Sequence, residues 1–585
     1  MSDEGTRPVI IANCSGFFGD RLSAAREMVE GGPIDVLTGD WLAELTMLIL
    51  WKTRARNADG GYARTFLTQM EQVLGTCIDR GIKVVTNAGG LNPAGCADQV
   101  RAIADRLGLT VDVAHLEGDD LVDRIDGLRP HLANLDTGEP LTADPISANA
   151  YLGGFGIAAA LAGGADVVVC PRVTDAAVVV GPAAWWWDWS LTDWDRLAGA
   201  VAAGHVIECG AQVTGGNYAF FTELPDLSQP LGFPIAEIDA DGSCVITKHP
   251  RTGGAVTVET VTAQLLYEIG PPAYLNPDVV TRFDTLRLDQ VGPNRVRISA
   301  TRGEPAPPTT KVAINYDGGF RNRMTFVLTG LEQEAKAAWV ADGIVQSMGG
   351  AERLAASGVT LETRFVAAPS DGADQEQASG RLHVFARADD ERLVGRAFSS
   401  AAIELALASI PGFFATSAPG PAQSFGVYWP ALVPIDELDQ IVVSADGRRQ
   451  RIDPPPADAS ADPIEPSPVP AIEPATLETG QPLGRWFGAR SGDKGGNANV
   501  GIWARDDAGY AWLDANLTAD RVRQLLPEAR DLEIRRYELP NLRALNFVLV
   551  GYLGEGVASS TAFDPQAKGL GEYLRSRQVW LTQPG

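Results

Sequence analysis

Arg172 and Asp175 lie just past the apolar run Val167-Val168-Val169-Cys170, with Thr174 between them. An arginine and an aspartate at the end of a buried strand are costly unless they pair or line a wet cleft. Other stretches have similar chemistry. In Ser15-Gly16-Phe17-Phe18-Gly19-Asp20-Arg21 the glycines can turn backbone amides outward into an anion cradle. Arg21 can clamp a carboxylate or phosphate through two bonds, whereas Asp20 can move a proton or cap the next helix and fill the cradle itself. Thr38-Gly39-Asp40 supplies another carboxylate. The loop Asn87-Ala88-Gly89-Gly90-Leu91-Asn92-Pro93-Ala94-Gly95 is uncharged, and its asparagines and amides can orient a carbonyl without titrating. Its competing reading is a tight connection with Pro93 near a helix start. Far along the chain, Arg490, Ser491, Asp493 and Lys494 share a glycine-rich stretch before Val500, which suits an anion or docking onto another domain. His205 is a candidate general acid or base, against a hydrogen-bonded structural histidine. With Glu208 and Cys209 it makes three ligand-type groups and no second cluster, which is weak evidence for zinc.

The elements that must position these groups read as alternating strand and helix. Val9–Asn13, 34–37, Lys83–Thr86 and 166–170 read as strands, each ending in one of the loops above. Helices are expected over 22–29, 41–51, 62–80 and 97–107, the last closed by Gly108. That order predicts a parallel sheet whose strand ends open on one edge, where ligands bind in open α/β sheets. A small-residue helix at 156–162 precedes the fourth strand, and 145–151 reads as a poor strand. Gly154-Phe155-Gly156-Ile157-Ala158-Ala159 therefore makes an unconvincing dinucleotide fingerprint. From about 235 to 440 short β-branched runs (255–261, 296–301, 311–316, 324–328, 382–386) alternate with helical stretches at 332–347 and 399–408, an α+β texture. Asp453–Pro474 holds eight prolines and little apolar content, which makes a linker. The tail reads as strands at 500–504, 510–513, 532–538 and 544–550 with helices at 519–525 and 565–574. The expected organisation is an α/β domain over 1–235 with the strand-end site, an α+β subdomain over 236–450, a linker over 451–476, and a small α+β domain over 477–585.

Composition narrows the partners. The 585 residues carry a formal net charge of −26, which disfavours nucleic acid and anionic membrane. The longest basic run is Arg448-Arg449-Gln450-Arg451, a solvated turn by default. Six scattered cysteines without a Cys-x-x-Cys read as reduced thiols in a cytoplasmic protein. The acidic start MSDEGTRPVI lacks a signal-peptide pattern. No Walker phosphate loop, HExxH or GxSxG occurs. Trp185-Trp186-Trp187 and Trp189 cannot all face one core on a regular element, so a subunit or ligand contact competes with a packed loop.

Taken together, these motifs resemble the acyclic terpene utilisation (AtuA) family. The resemblance rests on SGFFGDR at 15–21, TGDWLAELTM at 38–47, NAGGLNPAG at 87–95, CPRVTDAA at 170–177 and GHVIECGAQVTGGN at 204–217, and spans about 8–440. The tail resembles the companion AtuA-like domain carrying ARSGDKG, here 489–495, which implies a ferredoxin-like fold. The resemblance implies breakdown of acyclic terpenes or branched acids and an acyl-CoA or related organic acid substrate. It brings no agreed catalytic set with it. The expected function is a lyase or hydratase in which Asp20, Asp40, Asp175 or His205 moves the proton. Ser15, Gly16, Gly19, Arg21, Asn87, Gly89, Gly90, Asn92, Arg172, Thr174, Arg490, Ser491, Asp493 and Lys494 would hold the substrate. No cofactor is expected, with CoA entering as part of the substrate; Mg²⁺ on Asp20, Asp40 or Asp175 is the metal-assisted alternative. A non-catalytic scaffold subunit of an acyl-CoA carboxylase or dehydrogenase system is the rival from another class. The expected partners are a small anionic molecule and further copies of the chain.

Overall fold

The computed structural model describes residues 7–225, 228–456, 464 and 472–579. Most of the expected linker, 457–463 and 465–471, lies outside the described residues. Contacts divide the chain into two compact units: Met1–Asn315 with Tyr428–Gly585, and Tyr316–Val427.

The first unit is built on one large sheet. Its strands include β1 (Val9–Asn13), β2 (Val36–Gly39), β3 (Lys83–Thr86), β4 (Val113–Glu117), β6 (Val167–Val169), β7 (Pro234–Ile238) and β8 (Cys244–Lys248). A separate strand, β5 (Pro145–Ala150), lies between β4 and β6 in the chain. The centre runs β1-β2-β3-β6-β4, all parallel. These strands are Val- and Ile-rich because both faces are covered. Alternate residues serve opposite layers. Val167 and Val169 join the core with Met28, Phe66, Val73 and Val100, whereas Val168 joins Ile157, Val178 and Val201. The expected parallel sheet is thus the middle of a mixed one. β7, β8, Arg295–Ser299 and Arg287–Gly292 extend it antiparallel beyond β1, and Ile441–Val443 with Arg449–Arg451 extend it beyond β4.

Local chemistry sets the helices. Helix α1 (Ala24–Gly31) follows β1, and α2 (Glu44–Arg56) and α3 (Arg64–Arg80) lie between β2 and β3. Helix α4 (Pro93–Leu107) starts at Asn92, whose side chain accepts from the Gly95 amide, and stops at Gly108 with φ +69°. The second layer uses small residues: a Cβ on Gly181, in helix Ala177–Trp187, would lie 2.7 Å from the Gly154 carbonyl oxygen. Two sequence expectations change here. The segment 145–151 does form a strand, Pro145–Ala150. The run 255–261 becomes the start of helix Val258–Leu265, because Thr257 and Thr260 exchange capping bonds.

The tail folds as a four-stranded antiparallel sheet in the order Phe487–Lys494, Asn497–Ala504, Ala544–Leu549, Ile534–Leu539. The glycine-rich stretch at 490–497 is therefore a hairpin strand rather than a loop, turning at Gly495 (φ +64°) and Gly496. The expected strand at 510–513 is helical within Asp507–Asn516, capped by Asp506 on the Gly509 amide. One sheet face (Val500, Ile502, Leu545, Phe547, Leu549) closes the tail's own core. The other carries Arg490, Gly492, Lys494, Asn499, Gly501 and Asn546, and packs on the stretch 266–270.

The second unit has its own core around Phe326, Val340, Leu382, Val384 and Phe398. Strand Ser379–Ala388 pairs antiparallel with 320–329 and with Thr360–Val366, and helix Gln333–Ser347 contributes Val340 and Ile344. No helix among the described residues is long and apolar enough to cross a membrane.

Asn546 is fully buried and donates to the carbonyls of Ile269 and Gly270 at 3.1 and 2.8 Å while accepting from Asn499. Asn546→Ala leaves these acceptors without a donor and is expected to cost about 2–3 kcal/mol. Thermal unfolding and limited proteolysis within 472–482 check it: the variant melts lower and is cleaved faster there.

Candidate functional site

Four parallel strands deliver their following residues to one edge. After β2 comes Asp40, after β3 Asn87, after β4 Asp119, and after β6 Arg172 and Asp175. The Arg172 side chain is 3% exposed and its Nη1 lies 2.9 Å from Asp175 Oδ1. The same Nη1 donates to the Leu42 carbonyl at 3.1 Å, and the guanidinium carbon sits 4.1 Å from the Tyr151 ring centre. Asp175 keeps 24% of its side chain open. Asp40 is buried; its Oδ1 accepts from the Leu42 amide at 2.9 Å and from Asn87 Nδ2. Asn87 Oδ1 in turn accepts from the Trp41 amide at 2.8 Å. One oxygen of Asp119 accepts from Asn149 Nδ2 (2.8 Å) and from the Arg172 amide (3.2 Å).

Electrostatics separates these acids. Burial, reinforced by the charge of Asp175, pushes the Asp40 carboxyl well up, against the pull of Arg172. Glu208 moves the same way, by burial first and then the charges of Asp175, Asp40 and Glu268. Its Oε1 is 3.4 Å from His205 Nδ1, and its Oε2 has no hydrogen-bond partner among the described residues. Burial pushes Asp119 up to about 7. His205 is buried against the stacked pair Tyr274 and Phe283 (5.1 and 5.3 Å), and that burial, with the charge of Lys494, pushes it down to about 4.

The tail sheet brings a second set of charges alongside. Arg490 lies 4.1 Å over the Tyr267 ring, and Lys568 Nζ is 4.6 Å from the same ring and donates to its hydroxyl. Asp493 Oδ1 is 3.8 Å from Lys568 Nζ, and Lys494 Nζ donates to the Glu268 carbonyl at 3.0 Å. The charges of Glu268 and Lys568 both act on Cys209, which adjoins Glu208, so this seam lies within electrostatic reach of that acid.

Two family models match the chain: the acyclic terpene utilisation family protein AtuA over residues 9–444, and the AtuA ferredoxin-like domain over 482–580. The chain belongs to the AtuA family. No curated protein and no solved structure matches it. In this AtuA chain, as expected, the tail is the small ferredoxin-like α+β domain.

The remaining expected site residues are engaged by neighbours within the fold, Ser15 at the same edge, where its carbonyl accepts from the Asp40 amide at 2.9 Å. The Gly16 amide donates to Asp20 Oδ2 at 2.6 Å, so the loop's own carboxylate occupies its cradle. A Cβ on Gly16 would lie 2.4 Å from the Cys209 backbone, and one on Gly19 2.7 Å from the Phe17 ring. Ser15 Oγ donates to the Phe17 carbonyl. Arg21 is engaged by Glu27 (2.6 Å) and the Leu231 carbonyl (2.7 Å). Gly89 and Gly90 pack under the Cys170 carbonyl and Leu50, and Asn92 caps α4. Thr174 places its amide on the Leu152 carbonyl, and Ser491 Oγ accepts from the Gly571 amide on the opposite face of the tail sheet. Among the described residues no group of three or more His, Cys, Asp or Glu side chains is placed to hold a metal ion. Trp187 and Trp189 donate to the carbonyls of Ile238 and Ala240, inside the fold.

Sequence reasoning missed Asp119, Tyr267, Tyr274, Glu268 and Lys568, and weighed Glu208 only as a metal ligand. Asp119 had a signal: Val113-Ala114-His115-Leu116, apolar but for the histidine, runs into Glu117-Gly118-Asp119, a glycine and polar pattern like that of other strand ends.

The folded chain holds a proton on Asp119 up to about pH 7, whereas the ordinary carboxyl releases it near 3.8. The stability that this group contributes is therefore full below about pH 4 and declines as pH rises to about 7, by on the order of 4 kcal/mol. Asp119→Asn is expected to flatten that part of the curve of melting temperature against pH. An unchanged slope would assign it to other groups.

Proposed function

We propose that this AtuA chain is a lyase or hydratase of acyclic terpene or branched-acid breakdown, acting on an acyl thioester or the related organic acid at the β2–β3–β6–β4 strand ends. The observation that carries the reading is the partly open Asp175, ion-paired to buried Arg172 and flanked by two buried carboxyls, Asp40 and Glu208, held toward their neutral forms. Acid–base chemistry beside a carbonyl needs that division: one carboxylate to take a proton, and one neutral acid to give one.

In this reading Asp175 is the base. It removes the proton from the carbon next to the substrate carbonyl, and Arg172 fixes its orientation. The electron pair forms the carbon–carbon double bond while the β-hydroxyl leaves, and Glu208 or Asp40 gives that oxygen its proton, so water is released. Hydration is the same path reversed. The neutral acid not used for the leaving group can donate to the carbonyl oxygen. His205, uncharged near neutral pH, assists Glu208 rather than titrating at the substrate. Support for the substrate class comes from the family, whose name ties it to acyclic terpene utilisation.

The test is deuterium exchange from D₂O into branched 3-hydroxyacyl- and enoyl-CoA thioesters and the free acids, followed by NMR. The parent is expected to exchange the α-position of at least one. Arg172→Ala and Asp175→Asn are expected to lower that rate by about 100-fold or more. Both variants matching the parent would place the chemistry elsewhere.

A further inference from the structure

Arg490 is the cation that the chemistry above leaves unused. It is 4% exposed, yet among the described residues its guanidinium has no hydrogen bond or ion pair, and Nη2 is buried without an acceptor. Its one neighbour of note is the Tyr267 ring beneath it, 4.1 Å away. Stacking on a ring offsets part of the loss of water, but it does not replace acceptors for the guanidinium's five donors. A buried arginine of this kind is costly to the fold unless something else completes it.

The surroundings say what that is. Lys568, with 37% of its side chain open, shares the Tyr267 ring from 4.6 Å. Asp493 is 3.8 Å from Lys568. By formal count Arg490, Lys494 and Lys568 against Asp493 and Glu268 leave a single positive charge. The alternative anion clamps are occupied: Arg21 by Glu27 and Arg172 by Asp175. The strand also aims Arg490 correctly. Residues 490, 492 and 494 share the face that packs on 266–270, and Gly492 lets Tyr267 come close, since a Cβ there would lie 2.3 Å from the ring.

We propose that Arg490, stacked on Tyr267 and flanked by Lys568, is a subsite for one anionic oxyacid group, a carboxylate or a phosphate, of the molecule that enters the strand-end site. This rests on the reading above and adds to it the charge that the substrate carries and the domain that receives it.

The test uses the full-length chain, with 3-methylbutanoate and inorganic phosphate as probes and sodium chloride at matched ionic strength as control. Titration calorimetry and thermal unfolding are measured for the parent, Arg490→Met and Arg490→Lys. The parent is expected to bind one of the two probes and to melt higher with it, whereas chloride has no such effect; which probe binds distinguishes a carboxylate from a phosphate. Arg490→Met is expected to lose about 10- to 100-fold in affinity and to melt no lower than the parent without ligand, because it removes an uncompensated buried charge. Arg490→Lys is expected to retain part of the binding. The proposal is overturned if the parent binds neither probe, if Arg490→Met binds as the parent does, or if Arg490→Met melts well below the parent without ligand, the mark of a purely structural arginine. The exchange assay separates the two ideas. Intact exchange in Arg172→Ala and Asp175→Asn with anion binding lost in Arg490→Met removes the lyase reading and keeps the subsite; the opposite pattern does the reverse.

Discussion

A guanidinium buried at the end of a central strand has to be surrounded by acceptors, and Arg172 organises the strand-end edge around that demand. Its Nη1 serves both Asp175 and the Leu42 carbonyl. The position of Leu42 depends on Asp40, which accepts its amide, and Asp40 is held by Asn87. Asp119 receives the Arg172 backbone amide. Loops after four different strands are thereby tied into one network through the side chain and backbone of Arg172. Burial and the charge of Asp175 push two further acids, Asp40 and Glu208, toward their neutral forms against the pull of Arg172. Its charge is already matched by Asp175, so ionising Asp40 or Glu208 as well would put unmatched negative charge in a place from which water is excluded.

The parts of this arrangement that were legible in the sequence were those governed by period and by strand ends. Short apolar runs, each followed by polar groups and three of them by glycine, gave the parallel centre of the sheet and the grouping of Asp40, Asn87, Arg172 and Asp175. What glycine composition could not say was which way a loop's backbone would face. Gly16, Gly89 and Gly90 have no side chain because other backbone or Leu50 passes within contact distance of them, a packing reason indistinguishable in sequence from an exposed cradle. The antiparallel extensions of the sheet were hidden for a different reason. β7, β8 and Ile441–Val443 come from distant segments, and pairing across such separations leaves no local periodic mark. Tyr510–Leu513 misled because its aromatic residues favour strands, and the Asp506 cap outweighed that preference.

The tail sheet follows from one rule applied twice. Successive side chains alternate across the sheet, so a strand with Ala489 and Ser491 against its own helix must present Arg490 and Gly492 to the other side. On that side the glycines at 492 and 501 admit Tyr267 and Leu266, and Asn499 and Asn546 satisfy the main-chain groups of the stretch 266–270. An apolar seam runs beside these amides and glycines, with Trp503, Leu539, Leu542 and Ala544 of the tail joining the core that holds Leu266, Ile269, Tyr218 and Phe220, and charged side chains find room among the polar contacts.

Those charges matter because of what the rest of the chain is. With a net charge of −26, the protein as a whole repels an anionic metabolite. That repulsion fades over a Debye length, about 8 Å in physiological salt. Within that distance the local balance decides, and beside Tyr267 it is set by Arg490, Lys494 and Lys568 against Asp493 and Glu268. The acids of the strand edge cannot supply this attraction, since their one buried cation is consumed in holding the loops together. The fused domain carries Arg490 and Lys568 on its own elements, apart from the Arg172 network that ties the strand-end loops.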